Sequence, residues 1–234
     1  YLTDRILGGT MPWLDVMAQV TGPVVGRLHR AFVEDWCHAT EEDLSEARYF
    51  PRVPPAGQDR VGVVDTGPDA PSNRLGLVLL QLIAAARQRL DICTPYLIPS
   101  PTVLAALELA VRRGVRVRLH TNGRPVENWL LYRAQRSYYA ELLAAGVELW
   151  ESRHAYNHSK MILVDRRYLG IGSPNLDRRS AELNFEIAIV ATRSRAMRDA
   201  SDLFERRLRT AERVTAAPSR SLLDGLCRLA SPLL

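Results

Sequence analysis

The chain has 234 residues, 47% of them hydrophobic and 24% charged, with a formal net charge of +5. That composition excludes a disordered, collagenous or coiled-coil protein, and no apolar run reaches the ~20 residues that a membrane-spanning helix needs. Thirty of the 31 basic residues are arginine, which singles out the one lysine, Lys160.

In chain order, Asp15 to Val20 reads as a short strand. Val24 to Trp36 reads as a helix with Val24, Val25, Leu28, Phe32 and Trp36 at helical spacing. The acidic run from Glu41 to Glu46 and the proline-rich stretch from Pro51 to Arg60 mark a boundary. Beyond it strands and helices alternate. Strands are predicted at Val61–Asp65, Asp91–Thr94, Val115–His120 and Val147–Trp150. Helices are predicted at Leu75–Leu90, at Pro101–Arg113 (closed by Gly114) and at Tyr132–Ala145 (closed by Gly146). This rhythm predicts an α/β fold with helices packed on a sheet. From His158 to Val190 no helix is predicted, only strands at His158–Asp165, Tyr168–Ile171 and Asn184–Val190. Arg193–Val214 reads as an amphipathic helix and Ser221–Ala230 as a short terminal one.

Cys37, Cys93 and Cys227 are far apart and form no CxxC pair, so they read as buried thiols of a reducing compartment. The basic charge is spread along the chain. It fits phospholipid headgroups or nucleic acid, and equally an arginine-rich solvated surface.

The chemistry gathers around His158 and Lys160. Side chains two apart on a strand share a face, so the imidazole and the ammonium are predicted to stand side by side. Asp165, an odd number of positions from His158, falls on the opposite face as a structural ion-pair partner, with the neighbouring arginines as candidates. Gly172 lets backbone approach a ligand closely, while Ser173 and Asn175 offer neutral donors. These residues together make an oxyanion site with a titratable nucleophile or acid, and phosphate suits it. Ser173 serves equally well as a turn residue. His154 lies four before His158, but no cysteine or carboxylate cluster completes a metal site beside it.

The pattern HxKxxxxDxxxxxxGSxN, from His158 to Asn175, resembles the signature of the phospholipase D superfamily. Glu186, 28 residues after His158, matches that superfamily's orienting acid, with Glu182 as its competitor in the same stretch. The resemblance implies that Glu186 receives a proton from an active-site imidazole and fixes its tautomer. The run from Asn175 through Asp177, Arg179, Ser180, Leu183 and Asn184 to Glu186 resembles NxDxRSxxLNxE of bacterial cardiolipin synthases. Thr94 to Pro99 is similar to their TPYFxP loop, which makes Tyr96 a candidate substrate contact. Tyr96-Leu97-Ile98 and Trp129-Leu130-Leu131 read either as pocket lining or as core.

The resemblance implies a phospholipase D-like lobe, a mixed β-sheet flanked by helices on both faces. Residues 1–50 would end a preceding lobe, 51–60 would be a linker, 61–216 the catalytic lobe and 217–234 a terminal helical segment. It implies phosphatidyl transfer through a phosphohistidine, with His158, Lys160, Asn175 and Glu186 as catalytic residues and no metal or cofactor. Such enzymes use two facing motifs and this chain carries one. It therefore reads as the second half of a longer enzyme, with His158 as the acid that protonates the leaving alcohol. A second copy of the chain would complete the site otherwise, as a homodimeric phosphodiesterase or nuclease; alone, the lobe would be inert. The expected partners are a phospholipid and a membrane surface, at the cytoplasmic face of the inner membrane, with nucleic acid under the homodimeric reading only.

Overall fold

A computed structural model describes residues 12–68, 73–123, 129–217 and 222–230. The strands are β1 (Trp13–Leu14), β2 (Arg60–Thr66), β3 (Arg89–Cys93), β4 (Arg116–Asn122), β5 (Glu148–Ser152), β6 (Tyr156–Asn157), β7 (Met161–Val164), β8 (Tyr168–Gly172), β9 (Glu186–Thr192) and β10 (Ala211–Val214). The helices are α1 (Val24–Thr40), α2 (Arg74–Ala85), α3 (Pro101–Arg112), α4 (Trp129–Ser137), α5 (Tyr139–Ala144), α6 (Arg178–Glu182), α7 (Ala196–Thr210) and α8 (Leu222–Ala230).

Eight strands form one mixed sheet in the order β10-β5-β4-β3-β7-β8-β9-β2. β3, β4 and β5 run parallel and the remaining neighbours antiparallel, while β1 pairs in parallel with β6 in a separate two-stranded ladder. One face packs a large core with α2, α3, α4 and α5, in which Ile83, Leu90, Leu107, Leu119 and Leu149 are fully buried. The other face packs Met161, Leu163 and Leu169 against Met197, Ala200, Phe204 and Leu208 of α7. The predicted mixed sheet with helices on both faces is the architecture found.

Local chemistry sets the helix boundaries. Asn73 caps α2 by accepting from the Gly76 N–H at 2.7 Å, and Ser100 caps α3 ahead of Pro101. The helix predicted to reach Leu90 stops at Ala85. There the N–H groups of Arg87, Gln88 and Arg89 turn to the Asp165 carboxylate at 2.6–2.8 Å, and the Arg113 guanidinium takes up the Ile83 carbonyl at 3.2 Å. Gly114, at φ +85°, closes α3 as predicted.

Several elements differ from expectation. The strand placed at Asp15–Val20 is instead Trp13–Leu14, and residues 15–21 have no regular structure. The helix predicted over Tyr132–Ala145 starts at Trp129 and breaks at Tyr138, just after Ser137 bonds back to the Ala134 carbonyl at 2.6 Å. Only Met161–Val164 of the predicted strand from His158 joins the sheet. A five-residue helix, α6, interrupts a stretch read as free of helix; Asp177 caps it by accepting from Ser180 N–H at 2.8 Å. The helix expected to run to Val214 ends at Thr210, because residues 211–214 cover the open edge of β5 as β10. In α1 only Val33 is buried, and Phe32 and Trp36 of the predicted apolar stripe are exposed.

Candidate active site

The β7–β8 hairpin and the segments flanking it carry the motif. His158 follows β6 and Lys160 precedes β7, so both lie just outside the ladders, yet their side chains meet as the two-residue spacing predicts. Lys160 Nζ stands 2.8 Å from His158 Nε2 and donates to the His158 carbonyl at the same distance. The opposite ring nitrogen, Nδ1, lies 3.1 Å from the Asp15 carboxylate. With Asp15 accepting the Nδ1 proton, Nε2 keeps its lone pair and faces the ammonium. Trp13 and Tyr156 flank the imidazole, with ring centroids 4.8 and 6.4 Å from it.

Asp15 escaped the sequence reading, which placed it in a strand. It arrives through β1: the Leu14 carbonyl accepts from His158 N–H at 2.7 Å and from Ser159 Oγ at 3.2 Å. Arg207, on the buried face of α7, also escaped. Its guanidinium donates to Ser159 Oγ and, at 2.7 Å, to the Asp15 carbonyl. It thereby ties α7 both to the residue between His158 and Lys160 and to the backbone of the acid. Nothing local in the sequence marks either residue, for each meets the motif from a distant part of the chain.

Burial lowers the Lys160 ammonium to about 8, with the charges of Asp15, Glu186 and Asp177 opposing the shift. For Asp15, burial raises the pKa, but the hydrogen bonds from His158 and Val16 N–H and the nearby Lys160 charge outweigh it and leave the carboxyl below its ordinary value.

Glu186 is buried at the start of β9 and accepts from Ser173 Oγ and, at 3.1 Å, from Asn184 Nδ2. Among the described residues the acid on His158 is therefore Asp15, not Glu186. Ser173 Oγ also accepts from Ile187 N–H at 3.0 Å. The Asn175 backbone N–H donates to Ser180 Oγ at 3.0 Å, and its side chain bonds Asp177. Its Oδ1 is buried without a partner among the described residues.

Asp165 is a structural residue of a different kind from the expected ion pair: its carboxylate holds the three backbone N–H groups that lead into β3. Gly172 serves the sheet rather than a ligand, because a Cβ there would collide with the Ile187 carbonyl and Ala188 of β9. In the loop from Thr94, Leu97 and Ile98 are core residues, and the loop is laced to the motif through Leu176. Tyr96 Oη meets Tyr156 Oη at 3.1 Å. Trp129 is exposed at the start of α4, and His154 is exposed in the turn before β6.

Residues 79–208 match the family described as "Cardiolipin synthase, PLD-like domain". The chain belongs to that family. Cardiolipin synthase A of Pseudomonas putida is 34% identical over 99% of this chain and 49% of its own length. Cardiolipin synthase of Halalkalibacterium halodurans is 32% identical over 95% and 46%. The chain thus spans about half the length of the curated relatives it matches. Two solved structures share the fold of this cardiolipin synthase-family domain. Phosphatidylserine synthase of Haemophilus influenzae has a TM-score of 0.58 at 18% identity, over 76% of this chain and 49% of that one. Nuc of Salmonella typhimurium, a phospholipase D family member, has 0.56 at 21%, over 68% and 100%. Among the described residues, no helix of this domain is long and apolar enough to cross a membrane.

Proposed function

We propose that this domain supplies one of two catalytic motifs for phosphatidyl transfer between phospholipids, as a cardiolipin synthase does. The observation that carries the reading is His158 held at Nδ1 by Asp15 with Nε2 directed at Lys160, an imidazole fixed in one tautomer beside a cation. That arrangement suits a proton carrier next to a phosphoryl group. In the first step the histidine of the opposing motif attacks phosphorus of a phosphatidylglycerol. The bond to glycerol breaks, and His158 Nε2, protonated for this step, gives its proton to the departing oxygen. In the second, His158 takes the proton from a hydroxyl of the incoming phosphatidylglycerol, whose oxygen attacks the phosphorus of the phosphohistidine; the phosphorus–nitrogen bond breaks, the opposing histidine is released and cardiolipin forms. Lys160 stabilises charge on the non-bridging oxygens in both steps, with Asn175 beside it. Glu186 bonds Ser173 and Asn184 rather than His158, and in this reading it orients the opposing histidine. The reaction takes place at the membrane surface, where both substrates reside.

The test is to incubate the full-length protein with phosphatidylglycerol and quantify products. Cardiolipin and glycerol in equal amounts support the reading, and His158→Ala abolishes both. Phosphatidic acid without cardiolipin makes the protein a hydrolase; no turnover of lipid, with cleavage of nucleic acid instead, overturns it.

A further inference from the structure

A cavity of about 630 Å³ lies between α2, α3 and the β7–β8–β9 part of the sheet, and its wall reaches Lys160 and Asn175. Its size falls within the range of small-molecule sites. The depth is aliphatic: Leu75, Leu79 and Leu82 from α2, Val103 from α3, Ile162 from β7 and Val190 from β9. Gly170 forms part of the floor, where any side chain would run into Ile162, itself a wall residue.

The polar lining is confined to one end. The strand directions put the end of β3, the start of β7, the end of β8 and the starts of α2 and α3 at the same edge of the sheet. The polar and charged side chains of the wall, from Asn73 and Thr94 to Lys160, Asn175 and Asp177, come from those positions or from the segment after β8. Among the described residues no aromatic side chain lines the cavity. Sites that grip bases do so largely by stacking on aromatic rings, so a nucleotide finds no platform here. The complementary ligand has an anionic head, placed at Lys160, and a flexible aliphatic tail.

We infer that this cavity receives a fatty-acyl chain of the phospholipid whose phosphodiester lies at Lys160, an inference that rests on the reading of the site as a phosphatidyl-transfer site. The chain enters past Asn175 and runs along α2 toward Leu82.

Binding of lysophosphatidylglycerols with eight-, ten- and twelve-carbon chains to the full-length protein tests it, by titration calorimetry below their micellar concentrations. Each methylene buried strengthens binding about fourfold, equivalent to ~0.8 kcal/mol. The inference expects a steep rise across the series in the unaltered protein, flattened at least tenfold in Leu79→Trp, which fills the cavity away from the motif. Leu79→Phe is the smaller intrusion if the tryptophan variant does not fold, and glycerophosphoglycerol, which has no chain, should bind both variants as it binds the parent. Affinity independent of chain length, or a series unchanged by both substitutions, overturns the inference even where cardiolipin is formed. A steep series in a protein that forms no cardiolipin leaves the cavity's role standing and removes the transfer reaction instead.

Discussion

Asp15 Oδ2 lies 3.1 Å from His158 Nδ1, although 143 positions separate the two residues. The acid that orients the motif histidine thus comes from outside the motif, carried on the segment that β1 pins to β6. Substituting it with a neutral amide keeps the shape and removes the carboxylate that accepts the Nδ1 proton. Asp15→Asn is expected to lower the maximal rate of the full-length protein about 100-fold, with little change in lipid affinity. A loss smaller than about threefold assigns the orienting role elsewhere.

Lys160 makes activity and stability diverge with pH. In the proposed transfer its ammonium stabilises the phosphoryl group, and burial brings it down to about 8, so the rate should fall as pH rises through that value. An unfolded lysine titrates near ~10.4. Between the two values the unfolded chain holds more protons than the folded one, so this group's contribution to stability rises with pH there. Lys160→Met should be inactive and lack this rise when melting temperatures are compared across pH 7–10. A parent rate that stays level to pH 10 contradicts the assignment. Lys160→Arg should also lose about 100-fold, since the planar fork cannot replace a compact charge in contact with His158.

Arg207 is expected to matter for both folding and turnover. Its donors hold Ser159 Oγ and the Asp15 carbonyl from inside the α7 face. Arg207→Ala should cost about 2–4 kcal/mol in urea denaturation, the scale of lost hydrogen bonds from a charged donor. Its turnover should fall at least tenfold under conditions where the variant is still folded. Arg207→Lys, keeping a cation but not the fork, should recover part of the rate. Full activity in folded Arg207→Ala shows that the β1 segment needs no such tie.

The hairpin between β7 and β8 carries local strain. Asp165 and Arg166 occupy its two central positions at φ +49° and +54°, and Arg167 N–H bonds the Val164 carbonyl at 2.7 Å. Positive φ at both centres is the geometry of a type I′ turn, which favours glycine at the second position. Arg166→Gly should raise stability by ~1 kcal/mol, read as a higher urea midpoint with an unchanged slope. Asp165→Gly should do the reverse, because it removes the acceptor for three backbone N–H groups.

Much of this was readable from local sequence. The alternation of apolar runs with Gly114 and Gly146 marked most helices and strands, and the His158–Lys160 spacing foretold that the two side chains meet. Residues 211–214 were not readable as a strand, because their helical pattern was overridden by the unpaired edge of β5. Phe32 and Trp36 show the converse, an amphipathic stripe that periodicity assigns to a core and that the domain leaves exposed. Asp15 and Arg207 were beyond reach for a different reason: their partners lie far along the chain, and a lone acid or one arginine among thirty carries no signature.

The scarcity of lysine has a practical consequence. Within these 234 residues the half-buried amine of Lys160 is the one side-chain amine, and its lowered pKa leaves an appreciable fraction unprotonated near neutrality. Reductive methylation with isotope-labelled formaldehyde would therefore place a single side-chain reporter in the domain, beside His158. Its resonance would follow the protonation of the site and the arrival of a phosphodiester directly, without turnover and without an engineered probe.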